Sequence, residues 1–229
     1  MTIPEIVAHR GASRERPENT LAAFERAVAL GADAIELDVH RTSDGVIVVH
    51  HDPELNGAGP ITRLTSSQVT DFKVKGERIP TLAEVFAAIA GRARIYVELK
   101  GHDTVPSTIA IIRGSRSNSA VQPDAAAVHC FDHRLVGQAE QLDASVPRGV
   151  LEASYPIEPT SAARPVHARD LWRHRDFVDA ALVRAAHAEG RRVVAWTVND
   201  AAMMRRFAEW GVDAICTDDV ALARATLRP

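Results

Sequence analysis

Short apolar runs rich in β-branched residues alternate with amphipathic stretches along the whole chain. Extended segments are predicted at 5–9, 33–39, 94–99, 126–130, 148–151, 170–172, 192–197 and 213–216. Most are apolar throughout and give way to polar residues at their ends, the pattern of parallel strands buried on both faces. Helical periodicity fills most of the gaps. Leu21 to Leu30 follows Asn19-Thr20, carries Leu21, Phe24 and Val28 on one face and stops at Gly31, a residue suited to the left-handed conformation that ends helices. Further helices are predicted over 82–90, 105–113, 134–142, 178–189, 201–210 and 220–227. Eight strands alternating with helices imply an α/β fold, a (β/α)8 barrel in a single domain spanning residues 1–229.

Two places break the rhythm. Pro156, Pro159 and Pro165 make the stretch between Leu151 and Asp170 too proline-rich for a full helix, so this crossover is predicted to be a loop. Between Val39 and Asp52, Asp44-Gly45 separates two extended runs, which signals a β-hairpin projecting above the barrel and returning His51 to its rim. A short insertion, residues 53–79, follows it.

Composition narrows the class. Charged residues at 25% and hydrophobic residues at 46% are ordinary for a globular domain, and a net charge of −3 lacks the basic footprint of nucleic-acid binding. No apolar run reaches membrane-spanning length, and no secretory leader is visible, so a cytoplasmic protein without stable membrane association is expected. Cys130 and Cys216 lie far apart in apolar segments and read as buried thiols. Oligomeric state is not legible.

In a barrel of this kind the chemistry sits just past the C-terminal ends of the strands. Glu36 and Asp38, two residues apart on one strand, share a face, and Glu98 and Lys100 repeat the arrangement on the next core strand. Like charges in an interior demand a cation, so Glu36, Asp38 and Glu98 suggest a hard-oxygen site for one divalent ion, Mg²⁺ or Ca²⁺. The competing reading is a salt-bridge network around Lys100. His9 closes the first strand and His51 the hairpin; a histidine on each side of a phosphoryl group supplies a base and an acid. Arg10 offers a fork for phosphate oxygens. His50 is expected to point away from the face His51 uses. His40, His102, His133, His167 and His187 are expected to be solvated, while His129 and His174 fall near strand ends and stay open between pocket and surface. Trp172 and Trp196 either pack on a substrate or close the barrel.

Read in order, His9-Arg10-Gly11, Pro17-Glu18-Asn19-Thr20, Ala34-Ile35-Glu36-Leu37-Asp38-Val39, His51-Asp52, Ile79-Pro80-Thr81-Leu82, Glu98-Leu99-Lys100, Trp196-Thr197-Val198-Asn199, Gly211-Val212-Asp213-Ala214-Ile215 and Thr217-Asp218 resemble the glycerophosphodiester phosphodiesterase family. The resemblance spans nearly the whole chain. It implies a distorted TIM barrel and metal-dependent hydrolysis of small-molecule glycerophosphodiesters to sn-glycerol 3-phosphate and an alcohol, in glycerol and lipid metabolism. It further implies cation binding by Glu36, Asp38 and Glu98, His9 and His51 as the acid/base pair, and phosphate binding by Arg10 and Lys100. Glu18 and Asn19 resemble pocket residues, and Trp196 is the stronger aromatic candidate for substrate contact.

The departures lie outside this set. Asp52-Pro53-Glu54-Leu55 replaces the family's frequent Arg-Thr-Thr element, Cys130 replaces a common serine, and Val220 a common proline. The short 53–79 segment implies a more open substrate cap and leaves the head-group preference undefined. Two alternatives remain: a lysophospholipase D or sphingomyelinase D type of activity on lipids, and a non-catalytic barrel binding a phosphorylated metabolite.

Overall fold

The structure is a computed structural model that describes residues 3–116 and 124–228, the His102 side chain excluded; the prediction for that histidine lies outside the described residues. Among the described residues, thirteen strands and eight α-helices follow in chain order. Eight strands form the barrel: β1 (Glu5–His9), β2 (Ala34–Arg41), β8 (Arg94–Leu99), β9 (Ala126–Cys130), β10 (Arg148–Glu152), β11 (Asp170–His174), β12 (Arg192–Trp196) and β13 (Ala214–Thr217). All pair in parallel with their sequence neighbours in this set, and β13 closes the ring on β1. The helices that pack outside are α1 (Leu21–Ala29), α3 (Leu82–Ile89), α4 (Val105–Ser115), α5 (His133–Leu142), α6 (Ala180–Ala188), α7 (Ala201–Trp210) and α8 (Val220–Leu227).

Local chemistry sets the helix ends. Thr20 Oγ1 accepts from the Ala23 amide to cap α1, and Gly31, at φ 81°, takes the left-handed turn after it. In α3, Thr81 and Glu84 form a reciprocal capping box. The predicted 178–189 helix starts later, at Ala180, because Asp179 accepts from the Leu182 amide as N-cap and residues 175–177 form a separate 3₁₀ turn.

The proline-rich crossover between β10 and β11 is irregular, as predicted. The buried Arg173 guanidinium on β11 pins it, donating to the carbonyls of Ser154 and Pro159 and pairing with Glu152 at 2.7 Å. After β2 the chain turns at Thr42–Val46 and returns as β3 (Ile47–Val49), antiparallel to β2, so the predicted hairpin forms. The 53–79 insertion holds two two-stranded ribbons, β4 (Glu54–Leu55) with β5 (Gly59–Pro60) and β6 (Lys73–Val74) with β7 (Glu77–Arg78), and the helix α2 (Ser66–Asp71). Leu55, Ile61, Val69 and Ile79 close over Val48 of the hairpin as a small core of their own.

Inside the barrel the side chains form layers. At the floor, Arg192 pairs with Glu5 at 2.5 Å and Asp170 at 3.3 Å, while Tyr96 Oη donates to Glu5. Above it lie Val7, Ala34, Ala127, Leu151, Trp172, Val194, Ala214 and Cys216. The main apolar core lies between strands and helices. Both cysteines are free and buried. Among the described residues, no helix is long and apolar enough to cross a membrane.

Candidate active site

Strand register assembles the polar layer at the top. His9 lies opposite Glu36, Asp38 opposite Glu98, and Glu98 opposite His129, so residues distant in sequence become lateral neighbours. One pocket is lined by His9, Arg10, Glu36, His51, Glu98, Lys100 and His129 on its polar side. Phe131, Leu151, Trp172, Trp196 and Cys216 form the apolar side.

Each histidine expected to act in acid/base chemistry has a carboxylate behind it. His9 Nδ1 meets Asp218 Oδ1 at 2.6 Å, and His51 Nδ1 meets Asp52 Oδ1 at 2.7 Å. Asp218 is held well down, to about 2: its burial opposes ionisation, but the bonds from His9, Asn199 and Ser13 prevail. Asp52 also lies below the usual range, chiefly through its bond with His51.

Asp38 is fully buried and heavily engaged. Arg10 Nε lies 3.2 Å from one of its oxygens, Lys100 Nζ 3.2 Å from the other, and the Asn19 amide donates to it at 2.9 Å. Burial alone would raise its pKa, yet Lys100 and Arg10 outweigh that and keep it ionised. Two strained backbones make this grip possible: Arg10 and Asn19 both sit at φ 57°. In that conformation the Arg10 amide donates to Glu36 Oε2 while its guanidinium also bonds Glu18. Gly11 follows at φ 83° with Ala23 pressed against it, leaving no room for a side chain.

Glu36 and Glu98 are pushed the other way. Burial, then repulsion from Asp38 and Glu98, drives Glu36 well above the normal carboxyl range. Burial and the Asp38 charge push Glu98 to about 7, against the pull of Lys100, whose ammonium lies 2.8 Å away. His129 is the third member of this corner: Glu36, Glu98 and His129 bring one ligand atom each within 4.8 Å of one another. Its ring stacks on Trp172 at 4.1 Å and 3° between planes, its Nδ1 has no partner among the described residues, and burial lowers its pKa to about 3, so the ring is neutral.

The predicted residues therefore divide. His9, Arg10, Glu36, His51, Glu98, Lys100 and Trp196 line one pocket. Asp38 and Asn19 lie behind its wall, at 0% and 2% exposure, and Glu18 lines the neighbouring groove under the insertion with His50, Asp52 and Phe72. His40, expected in solvent, is buried and bonds the His51 carbonyl, a consequence of the hairpin folding back over β2. His129 is resolved as a pocket residue, Trp172 as barrel packing at 1% exposure that also lines the pocket floor, and His174 as a neighbour of Trp196 outside the pocket lining. Asp218 is the residue whose role the sequence reading missed. Its signal was barrel closure itself: pairing of the first and last strands puts Thr217 opposite Ala8, hence Asp218 beside His9.

Comparison with known proteins places the chain in a family. A profile of the Glycerophosphoryl diester phosphodiesterase family matches residues 9–222. A glycerophosphodiester phosphodiesterase of Caldanaerobacter subterraneus subsp. tengcongensis is 33% identical over 233 residues, covering 93% of both chains. An Oleispira antarctica phosphodiesterase, solved in complex with the product sn-glycerol-3-phosphate, superposes with a TM-score of 0.89 at 26% identity over 99% of this chain and 98% of that one. A glycerophosphodiester phosphodiesterase from Agrobacterium tumefaciens gives 0.83 at 28% identity, covering 97% of this chain and 100% of its own. With a closed eight-stranded barrel and a matching profile over nearly its full length, the chain belongs to the glycerophosphoryl diester phosphodiesterase family.

Proposed function

We propose that the protein hydrolyses glycerophosphodiesters to sn-glycerol 3-phosphate and an alcohol, with His9 and His51 as the acid/base pair. The observation that carries this reading is the convergence of both histidines, each backed by a carboxylate, on one pocket that also holds Arg10, Lys100 and two buried glutamates. One histidine, neutral at the start, takes the proton of the attacking hydroxyl as its oxygen bonds to phosphorus. The other, protonated, gives its proton to the departing alkoxide as that P–O bond breaks. Where the attacking hydroxyl is water's, this single step yields sn-glycerol 3-phosphate; where it is the substrate's own glycerol hydroxyl, the step closes a cyclic phosphate, which water then opens as the two histidines exchange roles. Arg10 and Lys100 offset the phosphate charge, and Trp196 with Phe131 gives the carbon skeleton an apolar wall.

The donor set fits a divalent cation, Mg²⁺ or Ca²⁺. Glu36 and Glu98 are buried together and resist joint ionisation, the state that a bound dication relieves. Glu36 and Glu98 would hold it, with Asp38 as the third carboxylate expected from the family resemblance and His129 as a nitrogen donor at the same corner. When bound, the cation supplies Lewis-acid polarisation of the phosphoryl oxygen. Two free, buried thiols support a reducing compartment, the cytoplasm, and the net charge of −3 supports a partner other than nucleic acid.

The test is release of choline from glycerophosphocholine beside lysophosphatidylcholine, with sn-glycerol 3-phosphate read as co-product from glycerophosphocholine and glycerophosphoethanolamine, each with Mg²⁺, Ca²⁺ or Mn²⁺. Turnover of the water-soluble diesters is expected, with His9→Ala and His51→Ala each lowering it by at least ~10²-fold. Preference for the lysolipid would move the activity to the lipid class, and background rates throughout would leave a binding barrel.

A further inference from the structure

The two histidines stand on unequal supports. Asp52 is the residue next to His51 and its side chain is 68% exposed, so water competes for its carboxylate. Asp218 reaches His9 across the barrel seam and is fixed from several sides. Asn199 Nδ2 donates to its Oδ2 at 2.6 Å, and Ser13 Oγ donates to Oδ1 at 3.2 Å. The Asn199 amide cannot turn around, because its Oδ1 already accepts from the Asp218 backbone N–H and from Thr217 Oγ1, both at 2.9 Å. Asp218 Oδ1 therefore faces His9 Nδ1 at 2.6 Å as an obligate acceptor, which requires the proton on Nδ1.

We infer that Asp218, held by Asn199, is a positioning residue that keeps His9 in the Nδ1–H tautomer, with the Nε2 lone pair available for proton transfer in the pocket. The inference rests on the phosphodiesterase reading for its kinetic consequence, though not for the tautomer itself. It also explains why the chain commits three side chains of the β12 and β13 ends, Asn199, Thr217 and Asp218, to one hydrogen-bonded unit away from the cation corner.

Asp218→Asn tests it with little change of shape. The locked Asn199 Nδ2 draws the new amide oxygen toward itself, so the new NH₂ group is turned to His9 Nδ1 and favours the opposite tautomer. Turnover is expected to fall by roughly 10²-fold or more with KM within about threefold, the pattern of a base held in the wrong tautomer. Asp52→Asn is expected to lose turnover too, but at least about tenfold less than Asp218→Asn, because water competes for the exposed carboxylate behind His51. Nitrogen-15 spectra of imidazole-labelled protein should show His9 protonated at Nδ1 in the parent and at Nε2 in Asp218→Asn. Asn199→Ala, which frees the carboxylate without removing it, should give a smaller loss with the same constant KM, and it serves if Asp218→Asn does not fold. Equal losses in Asp218→Asn and Asp52→Asn, or an Nε2–H signal for His9 in the parent, would overturn the inference. If the parent fails to hydrolyse any diester, the proposed function falls, while the parent spectrum still decides the tautomer.

Discussion

Gly149 on β10 sits under the ring stack that carries His129, and filling it is the sharpest steric probe of the site. A methyl group there would lie 2.7 Å from Trp172 Cδ1, 2.8 Å from its Nε1 and 3.2 Å from His129 Cβ. Ordinary carbon contacts lie near 3.5–4.0 Å, so the overlap with the indole is about 1 Å. The indole has nowhere to go: it is 1% exposed, stacked on His129 and edge-on to Tyr96 at 5.2 Å. Overpacking of this kind costs ~1–3 kcal/mol, and the loss of glycine freedom in the unfolded chain returns ~0.4–1 kcal/mol. Contacts under 3.0 Å against an immobile ring put the cost in the upper part of that range, about 2–3 kcal/mol, so Gly149→Ala should be destabilised by about 1–2.5 kcal/mol net, which for a domain of this size lowers Tm by about 2–10 °C. Moving the indole also tilts the His129 ring, so affinity for Mn²⁺ or Mg²⁺ measured by calorimetry should fall by ~10-fold, as when a ligand loses its support. A variant that melts within about 1 °C of the parent would show that the Trp172 stack is not the rigid support described here.

Other perturbations separate fold from site. Glu84→Ala removes a carboxylate that accepts from the Thr81 amide and hydroxyl, both at 2.8 Å, and should lower the urea midpoint by the equivalent of about 1 kcal/mol; an unchanged midpoint would deny the capping box its role. Lys100→Met leaves the buried Asp38 with one of its two ion-pair partners, Arg10, and should cost ~3 kcal/mol or more in stability as well as abolishing turnover; full stability would show that Asp38 is not held by Lys100. Glu98, at about 7 when folded against 4.5 as its ordinary value, binds more protons in the native state between these limits, so its contribution to stability falls as pH rises through that window. In metal-free protein Glu98→Gln should therefore gain on the parent from pH 4.5 to 7, by up to about 3 kcal/mol, and saturating cation should erase the difference; parallel pH curves would contradict the burial argument.

The fold was legible because both periods were clean. Apolar runs flanked by polar ends, and stops at Gly31 and Gly211, marked strands and helices to within a few residues. Proline density marked the one irregular crossover, though not the buried Arg173 that holds it. The site was legible where two reactive side chains share a strand, as in Glu36-Leu37-Asp38. It was illegible where it depends on register. That Asp38 turns toward Arg10, Lys100 and Asn19, while His129 joins Glu36 and Glu98, follows from which residues lie side by side across the sheet and how deeply each is buried. His40 shows the same limit, since only the folded hairpin reveals that its imidazole is covered.

The small core of the insertion has a practical consequence. Leu55, Ile61, Val69 and Ile79 pack on one another and on Val48, apart from the apolar layer between barrel and helices. The segment is tied to the hairpin turn where the Ser43 amide donates to the Leu64 carbonyl at 2.9 Å and the Ser66 hydroxyl donates to Asp44 at 2.8 Å. The segment is thus a unit with its own core, and a change in its length would first redraw the groove that Glu18, His50 and Asp52 share with it, before reaching the barrel interior.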